Sequence, residues 1–247
     1  MKLLDLTLST PAENLACDEA LLDWCEDGAG EEVLRFWESA RHFIVLGYAN
    51  KMASEVNIAV CEEKGIPVYR RCSGGGTVVQ GPGCLNYSLV LKITEGGRLQ
   101  NITSANHFIM ERNRAAIESL YSKTETPDPK PEIAVRGHTD LCIGELKFSG
   151  NSQRRRKHFL LFHGTFLLNF NLALVSEVLP MPSKQPDYRK RRAHSRFLTT
   201  LDMPAEKVKT ALQKAWDANS PPASPPMDKI AILARDKYAG PGWNHRF

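Results

Sequence analysis

The chain has 247 residues, 42% apolar and 24% charged, with a formal net charge of +4. That is long enough to bury a core without a metal or disulfide staple, and the composition is that of a soluble globular protein. There is no run of eighteen apolar residues and no signal-peptide pattern at the N-terminus, which argues against a spanning helix and leads us to expect a cytoplasmic protein without membrane contact. The charge is too small to imply nucleic-acid binding by itself.

In chain order, residues 2–8 are predicted as a strand. Thr10-Pro11-Ala12-Glu13 then forms a capping box with proline in the first helical turn. Ala16, Ala20, Leu21 and Trp24 follow at helical spacing, and Asp27-Gly28 closes the helix. Strands are expected at 33–37, 43–47, 66–69 and 86–93, with a short helix over 55–64. The strongest helix covers 101–122, capped by Thr103 or Ser104, with Phe108, Ile109, Ala116 and Leu120 on one face. A proline-rich loop is expected at 123–131. Short strands resume over 133–169, and a helix covers 172–179. A long basic loop spans 180–195, followed by a helix at 205–218 and a last helix at 227–238. Strands and helices mix without regular alternation, so the fold class is α+β. The domain reading is one main domain over 1–218, a Pro/Ser linker at 219–226 and a helical segment at 227–247 packing on the same domain, with no separate accessory domain.

The most informative stretch is Arg70-Arg71-Cys72-Ser73-Gly74-Gly75-Gly76-Thr77-Val78-Val79. Three consecutive glycines let the backbone take positive φ and lie against a ligand, with successive amides forming an anion-binding concavity. Two arginines at its mouth offer donors suited to phosphate or carboxylate. Neither the P-loop nor the dinucleotide-binding spacing fits. The six cysteines, at 17, 25, 61, 72, 84 and 142, form no CxxC pair and no metal spacing, so free thiols are expected and no metal site is named. Two basic runs, Arg154-Arg155-Arg156-Lys157 and Arg189-Lys190-Arg191-Arg192, hold eight of the 32 basic residues. Closure of the 180–195 loop over an anionic ligand, docking of an acidic partner, or nucleic-acid binding would each use such charge; sparse aromatic interleaving speaks against the last.

Arg70 to Val79 resembles the arginine–serine–triple-glycine signature of the lipoate-protein ligase A family, within the superfamily of biotin/lipoate ligases and octanoyltransferases. Two further blocks are similar in the same order. One is Gly137-His138-Thr139-Asp140-Leu141 with Lys147-Phe148-Ser149-Gly150, and the other is His163-Gly164-Thr165-Phe166-Leu167-Leu168-Asn169. The resemblance implies mixed β-sheets flanked by helices, of the biotin/lipoate ligase catalytic-domain type. It also implies ATP-dependent activation of lipoate or octanoate to acyl-AMP and transfer to a lysine of a lipoyl carrier domain. Mg²⁺ would arrive with ATP. By resemblance Lys147 is the catalytic residue, and Arg71, Ser73, Gly74, Gly75, Gly76, Thr77, Val78, Asp140, Gly150 and His163 surround the nucleotide or acyl-adenylate. Trp37, Leu46 and Val79 would wall the acyl pocket. Partners would be lipoyl domains of 2-oxoacid dehydrogenase complexes or glycine-cleavage H-type proteins, with an accessory subunit as a further candidate.

The chain departs from the ligases at Gln80-Gly81-Pro82-Gly83, which is similar to octanoyltransferases that take acyl groups from acyl carrier protein and use a cysteine nucleophile. It lacks the Pro-Cys-Gly of one transferase type, and it has no cysteine at Val135-Arg136, where the other type carries one. Ligase is therefore the main reading, with the thiol-dependent acyltransferase as the alternative and a basic nucleic-acid-binding protein as the third.

Overall fold

Thr10 shows how local chemistry starts the architecture. Its hydroxyl accepts from the Glu13 amide, while the Glu13 carboxylate accepts from the Thr10 amide, and Pro11 occupies the first turn. In the computed structural model, which describes residues 1–121, 131–220 and 224–247, this box opens α1 (Pro11–Glu26) between β1 (Lys2–Asp5) and its parallel neighbour β2 (Val33–Trp37). The chain continues through β3 (Phe43–Leu46), α2 (Met52–Glu55), α3 (Ile58–Glu63), β4 (Val68–Arg70), β5 (Val78–Gln80), β6 (Cys84–Lys92) and α4 (Ile102–Tyr121). Then come β7 (Ile133–Arg136), β8 (Asp140–Ile143), β9 (Leu146–Arg155), β10 (Phe159–Leu167), α5 (Leu172–Val178), α6 (His194–Phe197), α7 (Ala205–Ala215), α8 (Met227–Leu233) and α9 (Pro241–Asn244).

Two sheets result. Seven strands follow the order β1-β2-β6-β10-β9-β8-β7, and three follow β4-β3-β5. Among the strand pairs of the described residues, β1/β2 and β3/β4 are parallel and the others antiparallel, so the α+β expectation holds. Helices α4 and α7 cover one face of the large sheet over a core that includes Leu89, Ile109, Phe148, Phe162 and Leu212. On its other face lies α1, backed in turn by α8 and a π-turn at Ala234–Tyr238. Being covered on both sides, α1 buries even Asn14, Asp18 and Glu19. The small sheet packs its outer face on α3 and α5.

Several expectations are corrected. The helix predicted over 55–64 is two short helices, because buried Val56 is extended and the Asn57 amide bonds to Val178 O. The cap of α4 is Asn101, whose Oδ1 accepts from the Ser104 amide, rather than Thr103 or Ser104. The strands within 133–169 include two long ones, of ten and nine residues. The 180–195 stretch is not a free loop: it holds a 3₁₀ turn at Asp187–Arg189, enters α6 at His194 and buries Arg189. The loop expected at 123–131 lies, apart from Pro131, outside the described residues, as do 221–223 of the 219–226 linker. Ser220 bridges to Lys2 on the sheet edge. Among the described residues, no helix is long and apolar enough to cross a membrane.

Candidate active site

The glycine loop is shaped from inside by Arg71. Its guanidinium donates to the carbonyls of Gly74 (2.6 Å) and Gly76 (2.7 Å), and its Nε also reaches Ser73 Oγ at 3.1 Å. In a trans peptide the carbonyl and the next amide point in opposite directions. Arg71 therefore turns the amides of Gly75 and Thr77 outward, away from itself. Gly74, Gly75 and Gly76 are exposed, and Gly75 has φ +88°, a conformation suited to glycine. Burial lowers the Arg71 pKa to about 10, still well above neutrality. Arg71 is thus the loop's internal clamp rather than a free donor at its mouth.

Arg70 is likewise committed. Fully buried, it donates to the carbonyls of Gly47, Tyr48 and Asn50 and to those of Trp243 and Asn244. The expectation of two arginines offered to a ligand is corrected, because every donor contact named here is to backbone or to Ser73. Of the two, only Arg71 contacts the carbonyls of the glycine loop; Arg70 ties the 47–50 segment to the C-terminal segment.

The loop docks on β9 through Ser152, whose hydroxyl donates to Gly74 O at 2.9 Å. On the same strand Lys147 places Nζ 2.8 Å from Asp140 Oδ1 of β8. A side chain on Gly150 would collide with Lys147, since a Cβ there falls 2.7 Å from Nζ. Residues three apart on a regular strand face opposite ways. A bulge where β8 changes register against β9, between Leu141 and Cys142, restores Lys147 to the face of Gly150 and Ser152. Gly150 and Ser152 are two residues apart, so the ammonium and the glycine loop stand roughly 7 Å apart along the strand. The backbone of Lys147 is held by the amide of Thr199, which donates to its carbonyl.

Behind the loop lies a polar chain that the sequence reading did not single out as a whole. Ser73 Oγ is 2.6 Å from His163 Nε2, His163 Nδ1 is 2.9 Å from Asp18 Oδ2, and Arg35 contacts Asp18 Oδ1 at 2.7 Å. Burial pushes the Asp18 carboxyl up, but the His163 hydrogen bond and the Arg35 charge outweigh it and hold the pKa below 3.8. Ser73 and His163 were candidates; Asp18 and Arg35 were missed. The available signal was Asn14 and Asp18, polar residues at i, i+4 within an apolar helix. Tyr188 was also missed as a site residue: its hydroxyl donates to Asp140 Oδ2 at 2.7 Å. Thr77 receives a bond from Asn50 and donates to buried Glu55.

The three acyl-pocket candidates do not come together. Trp37 shares a cluster with Phe43, Val45 and Val78, whereas Leu46 and Val79 lie in a different cluster, against α3 and α5. Alternation along β3 and β5 sends these two sets to opposite faces. The apolar face on the glycine-loop side is therefore Trp37, Val45 and Val78.

All six cysteines are free and buried, and burial raises each thiol: Cys17 to about 11, Cys25 and Cys72 to about 12, with Cys61, Cys84 and Cys142 also raised. Cys142 is in register with Lys147 but fully buried, its thiol directed to Tyr188 OH at 3.6 Å.

The basic runs are mostly engaged within the protein. Arg155 donates to the carbonyls of Leu99 and Gln100, Arg156 pairs with Asp23, and Arg189 and Arg192 stack over Phe197. Lys157, Lys190 and Arg191 are exposed. Among the described residues no group of three or more His, Cys, Asp or Glu is placed to hold a metal.

A glycine loop docked on β9 through Ser152, with Lys147 on the same strand face, is the geometry beside which the comparisons stand. The family profile described as Lipoyl protein ligase A/B catalytic domain matches residues 10–216. The chain belongs to this family. Its curated relatives include the octanoyltransferase LipM of Geobacillus kaustophilus, 25% identical with 99% of this chain and 98% of that protein covered. Another is the LipM of Bacillus anthracis, at 22% over 96% and 95%. Among solved structures, a lipoate-protein ligase A bound with ATP is 27% identical, with a TM-score of 0.72 and 99% and 98% coverage. The bi-partite lipoate protein ligase of Thermoplasma acidophilum, from a study that includes its E2 lipoyl domain, has a TM-score of 0.76 at 24% identity and shares the fold over 99% of this chain and 95% of that one. The named relatives and structural neighbours thus carry both ligase and octanoyltransferase names.

Proposed function

We propose that this chain is a lipoate-protein ligase that activates lipoate or octanoate with ATP and transfers the acyl group to a lysine of a lipoyl domain. One observation carries the choice of donor: all six cysteines are buried with raised thiol pKa values, so no thiolate stands ready beside Lys147. A route that needs no enzyme nucleophile fits this site better. In the first step a carboxylate oxygen of the acid attacks the α-phosphorus of ATP and pyrophosphate leaves. In the second the acceptor amine attacks the acyl carbon and AMP leaves. Lys147, held by Asp140, whose other oxygen accepts from Tyr188, would contact the acyl carbonyl and the phosphate; the outward amides of Gly75 and Thr77 would receive phosphate oxygens. Trp37, Val45 and Val78 would wall the acyl chain, and Mg²⁺ would be carried on the ATP phosphates. The ATP-bound ligase A at 27% identity supports this reading.

The second reading is an octanoyltransferase drawing on acyl carrier protein, supported by the LipM name of the curated relatives and by the Gly81-Pro82-Gly83 stretch. Acceptors in either case would be lipoyl domains of 2-oxoacid dehydrogenase complexes or glycine-cleavage H-type proteins, with or without an accessory subunit. The test is mass spectrometry of an apo lipoyl domain incubated with the enzyme and either lipoate or octanoate, with and without ATP, or octanoyl carrier protein. Acylation that requires the free acid and ATP is expected. Acylation from the carrier alone, lost on thiol alkylation, would replace the ligase reading with the transferase.

A further inference from the structure

We propose that Ser73, His163 and Asp18 form a proton relay that deprotonates the acceptor lysine in the transfer step. The observation is the unbroken chain from Ser73 Oγ through His163 (2.6 Å) to Asp18 (2.9 Å), with Arg35 holding the far carboxylate oxygen at 2.7 Å. Asp18, Ser73 and His163 are each at least nine-tenths buried, and Ser73 immediately precedes the exposed Gly74. With Asp18 ionised, Nδ1 of His163 carries the proton it donates to that carboxylate. Nε2 is then the acceptor and Ser73 the donor. Arg71 Nε donates to the same Ser73 oxygen and fixes its remaining direction.

A lysine arriving at neutral pH is an ammonium and cannot attack an acyl carbon until one N–H bond breaks. That proton passes to Ser73 Oγ as the serine proton moves to His163 Nε2, giving an imidazolium paired with Asp18. The freed lone pair forms the C–N bond, the bond from the acyl carbon to the adenylate oxygen breaks, and AMP leaves with that pair. The second amine proton departs to solvent, and the imidazolium returns the first there afterwards. The other charged or titratable groups near the Asp18–His163 pair are Cys17 and Glu19 of α1, Arg35 of β2, and Arg71 and Cys72 of the loop. None of these offers a second acceptor at Ser73 Oγ. The relay rests on the ligase reading only for its leaving group, since deprotonation of the amine is required by any acyl donor.

The experiment compares two amines in single-turnover acyl transfer: the lysine of an apo lipoyl domain, and hydroxylamine, which is already unprotonated at neutral pH. His163→Gln and Asp18→Asn are expected to slow transfer to lysine at pH 7 by about a hundredfold, the low end for general base catalysis. Any loss of donor binding falls on both amines, so the lysine rate is expected to drop about a hundredfold further than hydroxamate formation, and that excess should shrink toward pH 10, where solvent deprotonates the acceptor. Should a variant of the buried pair fail to fold, Ser73→Ala interrupts the relay without unpairing Arg35 and is read by the same ratio. Equal loss with both amines, or a defect independent of pH, overturns the relay. If wild type makes hydroxamate only from octanoyl carrier protein, the ligase reading falls and the relay is scored on that donor. Acylation of neither amine from either donor overturns both.

Discussion

Lys147 Nζ lies 2.8 Å from Asp140 Oδ1 and directly over Gly150, at the only kind of residue that leaves it room. The bulge in β9 makes that contact, and Tyr188 holds the other oxygen of the same carboxylate. We expect Lys147→Ala to abolish acid-dependent pyrophosphate exchange with an unchanged far-UV spectrum and melting temperature. Gly150→Ala should lower exchange by more than tenfold at little cost in stability, because the clash is with the far end of a flexible side chain. Wild-type exchange in Lys147→Ala would remove Lys147 from the chemistry; in Gly150→Ala it would show that the ammonium acts from a shifted position.

Tyr188→Phe isolates the support of that pair. It deletes one hydrogen bond to a carboxylate and leaves the ring against Phe197. A loss of about 1.4 kcal/mol in transition-state stabilisation corresponds to about a tenfold fall in kcat/KM. Steady-state kinetics with lipoate and ATP checks this, and an unchanged kcat/KM would mean that Asp140 needs no such support.

Thiol reactivity offers an independent check on the donor. With every thiol buried and its pKa raised, an aromatic disulfide reagent should titrate no cysteine in the folded protein and all six after denaturation. Iodoacetamide should leave activity with free acid and ATP intact. A fast-reacting thiol whose alkylation stops acyl transfer would favour the transferase.

The C-terminal segment should be part of the site's support. Asn244 Oδ1 accepts from the Arg70 amide at 2.9 Å, and the Trp243 indole donates to Arg70 O at 2.8 Å. Asn244→Ala leaves the buried Arg70 amide without its partner, which should cost about 1–3 kcal/mol of stability. Denaturant titration measures it; a cost below about 0.5 kcal/mol, the range of neutral surface substitutions, would mean that water replaces the side chain.

Acid stability follows from Asp18. Its folded pKa is depressed, so it contributes stability above its ordinary value of 3.8, and that contribution is lost as pH falls through the folded value. Asp18→Asn should therefore be less stable than wild type at pH 6, with the difference narrowing below about pH 4. Thermal melts at pH 6 and pH 3 read this directly; a constant difference would show that Asp18 does not titrate differently in the folded state.

Much of this was legible in the residues because it is local chemistry. The Thr10-Pro11-Ala12-Glu13 box, the closing Asp27-Gly28, and the bounds of β2 and of the helix after Asn171 are set by caps, turn formers and periodicity within a few positions. The triple glycine likewise announced a loop open to ligand, and Lys147 stood out through its motif. What neighbouring residues could not reveal was direction. Whether Arg70 and Arg71 point to a ligand or to carbonyls depends on what surrounds them, and burial with several backbone acceptors decided for the latter. Leu46 and Val79 were separated from Trp37 by the alternation of a sheet whose pairing is non-local. Lys147 faces Gly150 only because of a register shift between two strands. Asp18 joins His163 across 145 positions of chain, a distance that only the packing of α1 on β10 closes. Short-range sterics and hydrogen bonds wrote the elements and the glycine loop; long-range burial chose the partners of every charged side chain around it.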